Sequence, residues 1–134
     1  MGARAQKKKE RFVGFAWNIA HSPQIDLLEP IEFKLLFQLY RQYNGKNNGD
    51  LSCTWSVMAK HGWRSPTTLN KARYGLIEKG WIEETRKGYT GRCSLYAVTW
   101  LAIDECKSKL DCLPTRVPSM LFREKNRNPS TESV

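Results

Sequence analysis

Apolar clusters along the chain are separated by short polar, glycine-rich breaks, and their spacing predicts a series of small elements. In the run Phe12-Val13-Gly14-Phe15-Ala16-Trp17-Asn18-Ile19 the odd positions 13, 15, 17 and 19 are all apolar. A period of two predicts a short strand or extended segment clamped on the domain. Ser22-Pro23 then reads as the start of a helical turn, with Ser22 as N-cap and Pro23 at the first helical position. From about Glu29 or Pro30 to Tyr43, apolar residues crowd a helical pattern: Ile31, Phe33, Leu35, Leu36, Phe37, Leu39, Tyr40 and Tyr43. Only Lys34, Gln38 and Arg41 form a polar stripe, so this helix is expected to be central to the core. Asn44-Gly45-Lys46-Asn47-Asn48-Gly49-Asp50 favours turns and left-handed backbone, and Leu51-Ser52 is placed to form a two-residue strand against a later hairpin.

The next pattern is a helix over about Thr54 to Lys60, with Val57, Met58 and Ala59 toward the core, and a turn at His61-Gly62-Trp63. A second helix starts at Ser65, with Pro66 at its first position, and stops at Gly80. Its apolar face is Leu69, Ala72, Leu76 and Ile77, and Thr67, Asn70, Lys71 and Tyr74 fall opposite. Trp81–Arg86 and Arg92–Thr99 read as the strands of a hairpin, with Gly88 and Gly91 at its turn. Thr99 to Cys106 reads as a capped short helix. The chain thus divides into a disordered basic arm at 1–11, a domain at 12–112 and a Pro- and Ser-containing basic tail at 113–134. Met120-Leu121-Phe122 is placed to dock either on the domain or on a partner. The expected class is mainly α with a small β-hairpin wing (α+β), in the order of a winged helix-turn-helix.

Charge adds a partner to this picture. The formal net charge is +9 and the pI near 9.6, which point to an anionic partner. The excess is uneven: residues 1–12 carry +4, 54–92 carry +5 and 113–134 carry +2, whereas 13–53 and 93–112 are each −1. A reading unit with phosphate-gripping arms has that distribution. No run approaches the roughly 18 apolar residues of a membrane span, the basic start has no apolar centre after it, and Gln6 stands where a myristoylation motif has Ser or Thr. A cytoplasmic, nucleoid-associated protein without membrane contact is expected. Cys53, Cys93, Cys106 and Cys112 include no CxxC pair, and His21 and His61 are scattered, so neither a metal nor a cofactor is expected. Cys53 and Cys93 read as reduced, buried thiols.

The candidate chemistry is base and phosphate contact. Thr67 and Thr68 offer hydroxyls for phosphates or bases, Asn70 carries the donor–acceptor pair that matches adenine, and Lys71 reaches guanine acceptors or a phosphate. Arg64 and Arg73 clamp the backbone, beside a helix N-terminus capped by Ser65. Tyr74 either packs on the flank of Trp63 or contacts the sugar-phosphate backbone. In the hairpin, Arg86, Lys87 and Arg92 surround Tyr89 and are expected along the minor groove or backbone. Enzyme activity is not expected. Glu83 and Glu84 are adjacent on a strand and point to opposite sides, and the sequence holds no P-loop and no Ser-His-Asp set.

On these residues, the segment from Phe12 to Cys106 resembles the winged helix-turn-helix DNA-binding proteins of bacterial mobile elements. The markers are the aromatic N-terminal segment, Leu39-Tyr40-Arg41-Gln42-Tyr43-Asn44-Gly45, Asn47-Asn48-Gly49-Asp50-Leu51-Ser52, Gly62-Trp63-Arg64-Ser65, Leu76-Ile77-Glu78-Lys79-Gly80-Trp81-Ile82 and Arg92-Cys93-Ser94-Leu95-Tyr96-Ala97. The layout is similar to the N-terminal domains of phage and plasmid replication initiators, and the reading unit to that of MarR-type repressors. The resemblance implies double-stranded DNA binding, as a transcriptional regulator or a replication and maintenance factor of a phage, plasmid or integrative element. A palindromic site would require a homodimer, through the N-terminal segment or the 99–112 helix. The alternative is an interaction protein or inhibitor that binds a host nucleic-acid-processing protein, with the C-terminal tail as contact.

Overall fold

The computed structural model describes residues 10–125, so the expected arm at 1–11 lies outside it except for Glu10 and Arg11. The described residues form α1 (Trp17–Ala20), α2 (Pro30–Tyr40), α3 (Trp55–Met58), α4 (Pro66–Glu78), β1 (Ile82–Arg86), β2 (Leu95–Val98) and α5 (Leu121–Lys125). Short 3-10 turns lie at Pro23–Leu27, Ala59–His61 and Cys106–Ser108. The two strands form one antiparallel hairpin, so the class is α+β. No helix of the described residues is long and apolar enough to cross a membrane.

A reciprocal cap starts α2: the Glu29 carboxylate accepts from the backbone of Glu32, and the Glu32 carboxylate accepts from the Glu29 N–H at 2.8 Å. Leu35, Leu36 and Leu39 on this helix are fully buried. Its two faces differ from expectation. Gln38, expected in the polar stripe, is buried, while Phe33 and Phe37 are 43% and 38% exposed. The reason is a long-range partner. The Gln38 side chain accepts from Trp63 Nε1 at 2.6 Å and donates to the His61 carbonyl at 3.0 Å, satisfying polar groups that an apolar side chain would strand. The helix also stops at Tyr40, short of the expected Tyr43.

The α3–α4 turn follows the sequence signals closely. Gly62 adopts φ +89°, and the Ser65 hydroxyl accepts from the Thr68 N–H at 3.0 Å. Because α3 is only one turn long, it buries Met58 alone, and Val57 and Ala59 remain exposed, contrary to expectation. α4 buries Leu69, Ala72 and Leu76 and packs against α2. The closest approach is at Gly75, where an added Cβ would lie 1.9 Å from a Glu32 carboxylate oxygen. That carboxylate also pairs with Lys79 at 2.6 Å, so one buried acid caps α2 and ties both helices.

β1 pairs with β2 in the register Ile82↔Val98 and Glu84↔Tyr96, with an irregularity between Glu84 and Arg86. Leu51 bridges Tyr96 on the outer side of β2, as expected for Leu51-Ser52. On the side of β1, the Asp111 N–H donates to the Thr85 carbonyl. Both flanks are thus used, and the expected strand at 12–19 has no edge to join. Instead Tyr40 Oη donates to the Gly14 carbonyl, Phe15 packs on Tyr40 and Trp100, and the chain turns into α1, leaving Trp17 exposed.

The helix expected from Thr99 to Cys106 is absent, and Asn48 supplies the reason. Its buried side chain donates to the carbonyls of Val98, Leu101 and Ala102 and accepts from the Val98 N–H. A helix from Thr99 would need the Leu101 and Ala102 carbonyls for its own ladder. Thr99 continues alongside the strands instead, its hydroxyl donating to the Gly80 carbonyl at 2.7 Å.

Of the two settings for Met120-Leu121-Phe122, the structure takes the domain. Phe122 is fully buried and stacks on Trp81 at 4.1 Å. Gly80 makes this possible. Its φ of +81° suits glycine, and an added Cβ would lie 2.7 Å from the Leu121 backbone.

Asn48→Ala is expected to lower the unfolding free energy by about 3–4 kcal/mol, because several buried backbone groups lose their partner together. Denaturant unfolding of the two proteins measures this, and a loss below about 1 kcal/mol would show that the loop does not depend on Asn48.

Candidate nucleic-acid interface

The twelve residues singled out above fall into two groups, one on α4 and its approach turn, the other on the hairpin. On α4, Thr67, Asn70, Lys71 and Tyr74 share the outward face and are all exposed. Arg64, Thr67 and Lys71 make no hydrogen bond or ion pair through their side chains to another described residue. Ser65 and Thr68 are engaged in the cap, the Ser65 hydroxyl donating to Thr68 Oγ1 at 3.1 Å. Tyr74 does not pack on Trp63. It is 62% exposed, with the Arg73 guanidinium stacked 4.4 Å from its ring centre.

Arg73 is half-buried and held from three sides. Besides Tyr74, it donates to Tyr96 Oη at 3.2 Å and to Asn70 Oδ1 at 3.2 Å. The Asn70 carbonyl is therefore engaged, and its amide N–H₂ remains directed by that bond. Burial pushes the Tyr96 hydroxyl up, with Arg73 pulling the other way, so Tyr96 stays protonated at neutral pH.

The hairpin arginines each have partners within the chain. Arg86 donates through Nε and Nη2 to the Cys93 carbonyl, at 3.2 and 2.9 Å, and so closes the hairpin on itself. Arg92 meets both carboxylate oxygens of Asp111 at 2.6 Å, donates to the Lys87 carbonyl at 3.1 Å and lies 4.8 Å over the Tyr89 ring. Asp111 also accepts from the Lys87 N–H at 3.0 Å. The Lys87 N–H and then the Arg92 guanidinium hold the Asp111 carboxyl below the usual carboxylate range. Its charge therefore persists above that lowered value and is lost only as pH falls through it. Lys87 keeps an exposed side chain at the tip, beside Tyr89, which is 66% exposed.

Between α4 and the hairpin lies an open cleft of about 400 Å³. It brings together Asn70 and Arg73 on one bank, Arg92 and Ser94 on the other, and Trp55 and Tyr96. Of the twelve, Arg64, Ser65, Thr67, Thr68, Lys71, Tyr74, Arg86, Lys87 and Tyr89 do not line it. Sequence reasoning missed Asp111, Tyr96, Ser94 and Trp55. Trp55 alone had a local signal, an aromatic at the start of a helix. Asp111 reaches the hairpin from an irregular segment that carries no pattern.

Cys53 lies at the cleft and is buried as expected, whereas Cys93 is only half-buried. All four cysteines are free, and among the described residues no group of His, Cys, Asp or Glu is arranged to hold a metal ion. Comparison with family models, with curated proteins and with solved structures finds no match to this chain.

Burial pushes the Cys53 thiol up to about 11, against the lowering effect of Arg73. Alkylation at neutral pH is therefore expected to modify exposed Cys112 and to spare Cys53 until the protein is denatured. Peptide mass spectrometry reads the order, and early labelling of Cys53 would mean that the cleft floor opens in the native protein.

Proposed function

We propose that this protein binds double-stranded DNA with α4 in the major groove and the hairpin alongside, in the manner of a winged helix-turn-helix. Its role is then that of a transcriptional regulator or a replication and maintenance factor of a phage, plasmid or integrative element. The observation that carries this reading is the outward face of α4. Thr67, Asn70, Lys71 and Tyr74 stand in solvent on one stripe of a capped helix whose other face is locked to α2. Polar side chains on a rigid helix are what base readout requires, and Arg64 and Lys71 supply unpaired cations for phosphates beside them. The net charge of +9 favours association with a polyanion.

The competing idea of a protein contact through the C-terminal tail loses its main element, because Phe122 is buried inside this chain. In the DNA reading, the Asp111 carboxylate sits where a phosphate oxygen would meet Arg92 and the Lys87 N–H. Pairs this exposed exchange readily with solvent and competing ions.

Selection from a random duplex library is expected to enrich one motif, and Asn70→Ala with Lys71→Ala to abolish the enrichment. Duplex left unbound at low salt would sink the proposal. Asp111→Asn is expected to tighten duplex binding and steepen the log–log salt slope by about one, since one more cation becomes available to a phosphate. Weaker binding by that variant would instead make Asp111 a brace for the hairpin.

A further inference from the structure

Arg73 is a half-buried cation whose partners are all neutral. Its guanidinium donates to Tyr96 Oη and to Asn70 Oδ1, both at 3.2 Å, and stacks on the Tyr74 ring at 4.4 Å. Among the described residues, no carboxylate lies within ion-pair distance of it. A charge drawn part-way out of water loses hydration, and hydrogen bonds to neutral oxygens restore only part of that loss. A guanidinium also has more N–H donors than these two bonds use. Arg92, on the opposite bank of the cleft, differs in this respect, since Asp111 already meets it with both carboxylate oxygens.

Arg73 lines the open cleft of about 400 Å³ between α4 and the hairpin, a volume in the size class of pockets that enclose small ligands. Asn70 lines it too, and because Arg73 occupies the Asn70 oxygen, the amide presents its N–H₂ as a donor. Donors on adjacent turns of one helix, one of them charged, suit an anionic group with several oxygens. A phosphate monoester is such a group and carries close to two negative charges at neutral pH. The same cleft has an apolar side. Trp55 lines it and is 37% exposed, and Pro66 lines it as well. A nucleobase gains stacking energy on an aromatic ring whatever its sequence identity. The cleft thus offers a seat for a phosphate and a surface for a flat ring within one small volume.

From this we infer that the cleft between α4 and the hairpin binds a free mononucleotide, its phosphate on Arg73 and the Asn70 amide and its base against Trp55. The inference goes beyond the duplex-binding reading and does not rest on it, because the ligand is a small molecule bound in the absence of nucleic acid.

Isothermal titration calorimetry of the full chain with 5′-AMP, 5′-GMP, 5′-CMP and 5′-dTMP tests it, with the matching nucleosides and inorganic phosphate as comparisons. At least one mononucleotide is expected to bind, about tenfold or more tighter than its nucleoside and than inorganic phosphate. Arg73→Gln and Trp55→Ala should each weaken that binding about tenfold, the effect of one charge-assisted contact or one stacked base. Lys46→Gln, in the exposed turn at 44–50 and outside the cleft, should leave it unchanged. Thermal melts verify that the variants fold, and because Trp55 is exposed, its variant decides the matter where loss of Arg73 unsettles α4. Binding by none of the four mononucleotides overturns the inference. Equal losses in Lys46→Gln and Arg73→Gln also overturn it, since they would show attraction to the net charge alone. Nucleosides that bind as tightly as nucleotides overturn the phosphate seat on Arg73. Each of these results leaves the duplex reading to be decided by the library selection.

Discussion

The Asn48 side chain sets the course of the chain from the second strand onward. It is fully buried, donates to three carbonyls and accepts from the Val98 N–H, and its own N–H donates to the Asp104 carboxylate. Every group it satisfies belongs to Val98 at the end of β2 or to residues 101–104, which have no regular structure to satisfy themselves. Placing a single amide there lets the chain leave the hairpin in an irregular path without stranding buried polar groups. That path brings Asp111 beside Thr85 and then to Lys87 and Arg92 at the hairpin tip. The shape of one bank of the cleft is thus traceable to a turn residue about forty positions upstream of the tip.

The other bank depends on a second buried polar group. Glu32 caps its own helix, pairs with Lys79 and lies against Gly75, so the carboxylate fills the space a side chain on α4 would take. Removing one partner of a buried pair is costly, because the remaining charge keeps its desolvation penalty without the attraction. The two helices therefore approach in one register, and α4 turns the stripe from Thr67 to Tyr74 outward as a consequence of packing. Trp81 completes the frame. It lies between Trp100 and Phe122, so the return segment and α5 close over the base of the hairpin.

How much of this was legible in the sequence follows from the range of the interactions. The bounds of α4 rest on Ser65, Pro66 and Gly80, whose effects reach only three or four residues, and they read correctly. The hairpin and the Leu51 bridge follow from alternation and turn residues in the same way. Failures occur where a distant group decides. Gln38 is buried because Trp63 and His61 need it, and Phe33 and Phe37 are turned outward in the same rotation. The segment after Thr99 has helical composition, yet Asn48 competes for its carbonyls. Residues 12–19 have a strand period but no sheet edge to join. In the candidate site, the exposed residues of α4 were readable because amphipathicity is local. The settings of Arg86 and Arg92 were not, because Cys93 and Asp111 approach only in the fold.

Formal charge and available charge therefore differ at this surface. Residues 54–92 carry +5, but Arg86 is turned onto a carbonyl, Arg92 faces a carboxylate and Lys79 faces Glu32. The cations left in solvent are Lys60 after α3, Arg64 and Lys71 on the α4 side and Lys87 at the tip, while Arg73 is divided between Tyr74, Tyr96 and Asn70. An interface built this way draws its long-range attraction from a few points around the cleft. It keeps the cleft itself for short-range contacts, where hydrogen bonds and ring faces discriminate by shape. The stacked arginines serve both ends, because a guanidinium held over a tyrosine retains its charge while fixing the ring in place. Selectivity at the proposed interface then belongs to the geometry of the α4–hairpin pair, and the basic composition of the chain sets only how often a polyanion arrives there.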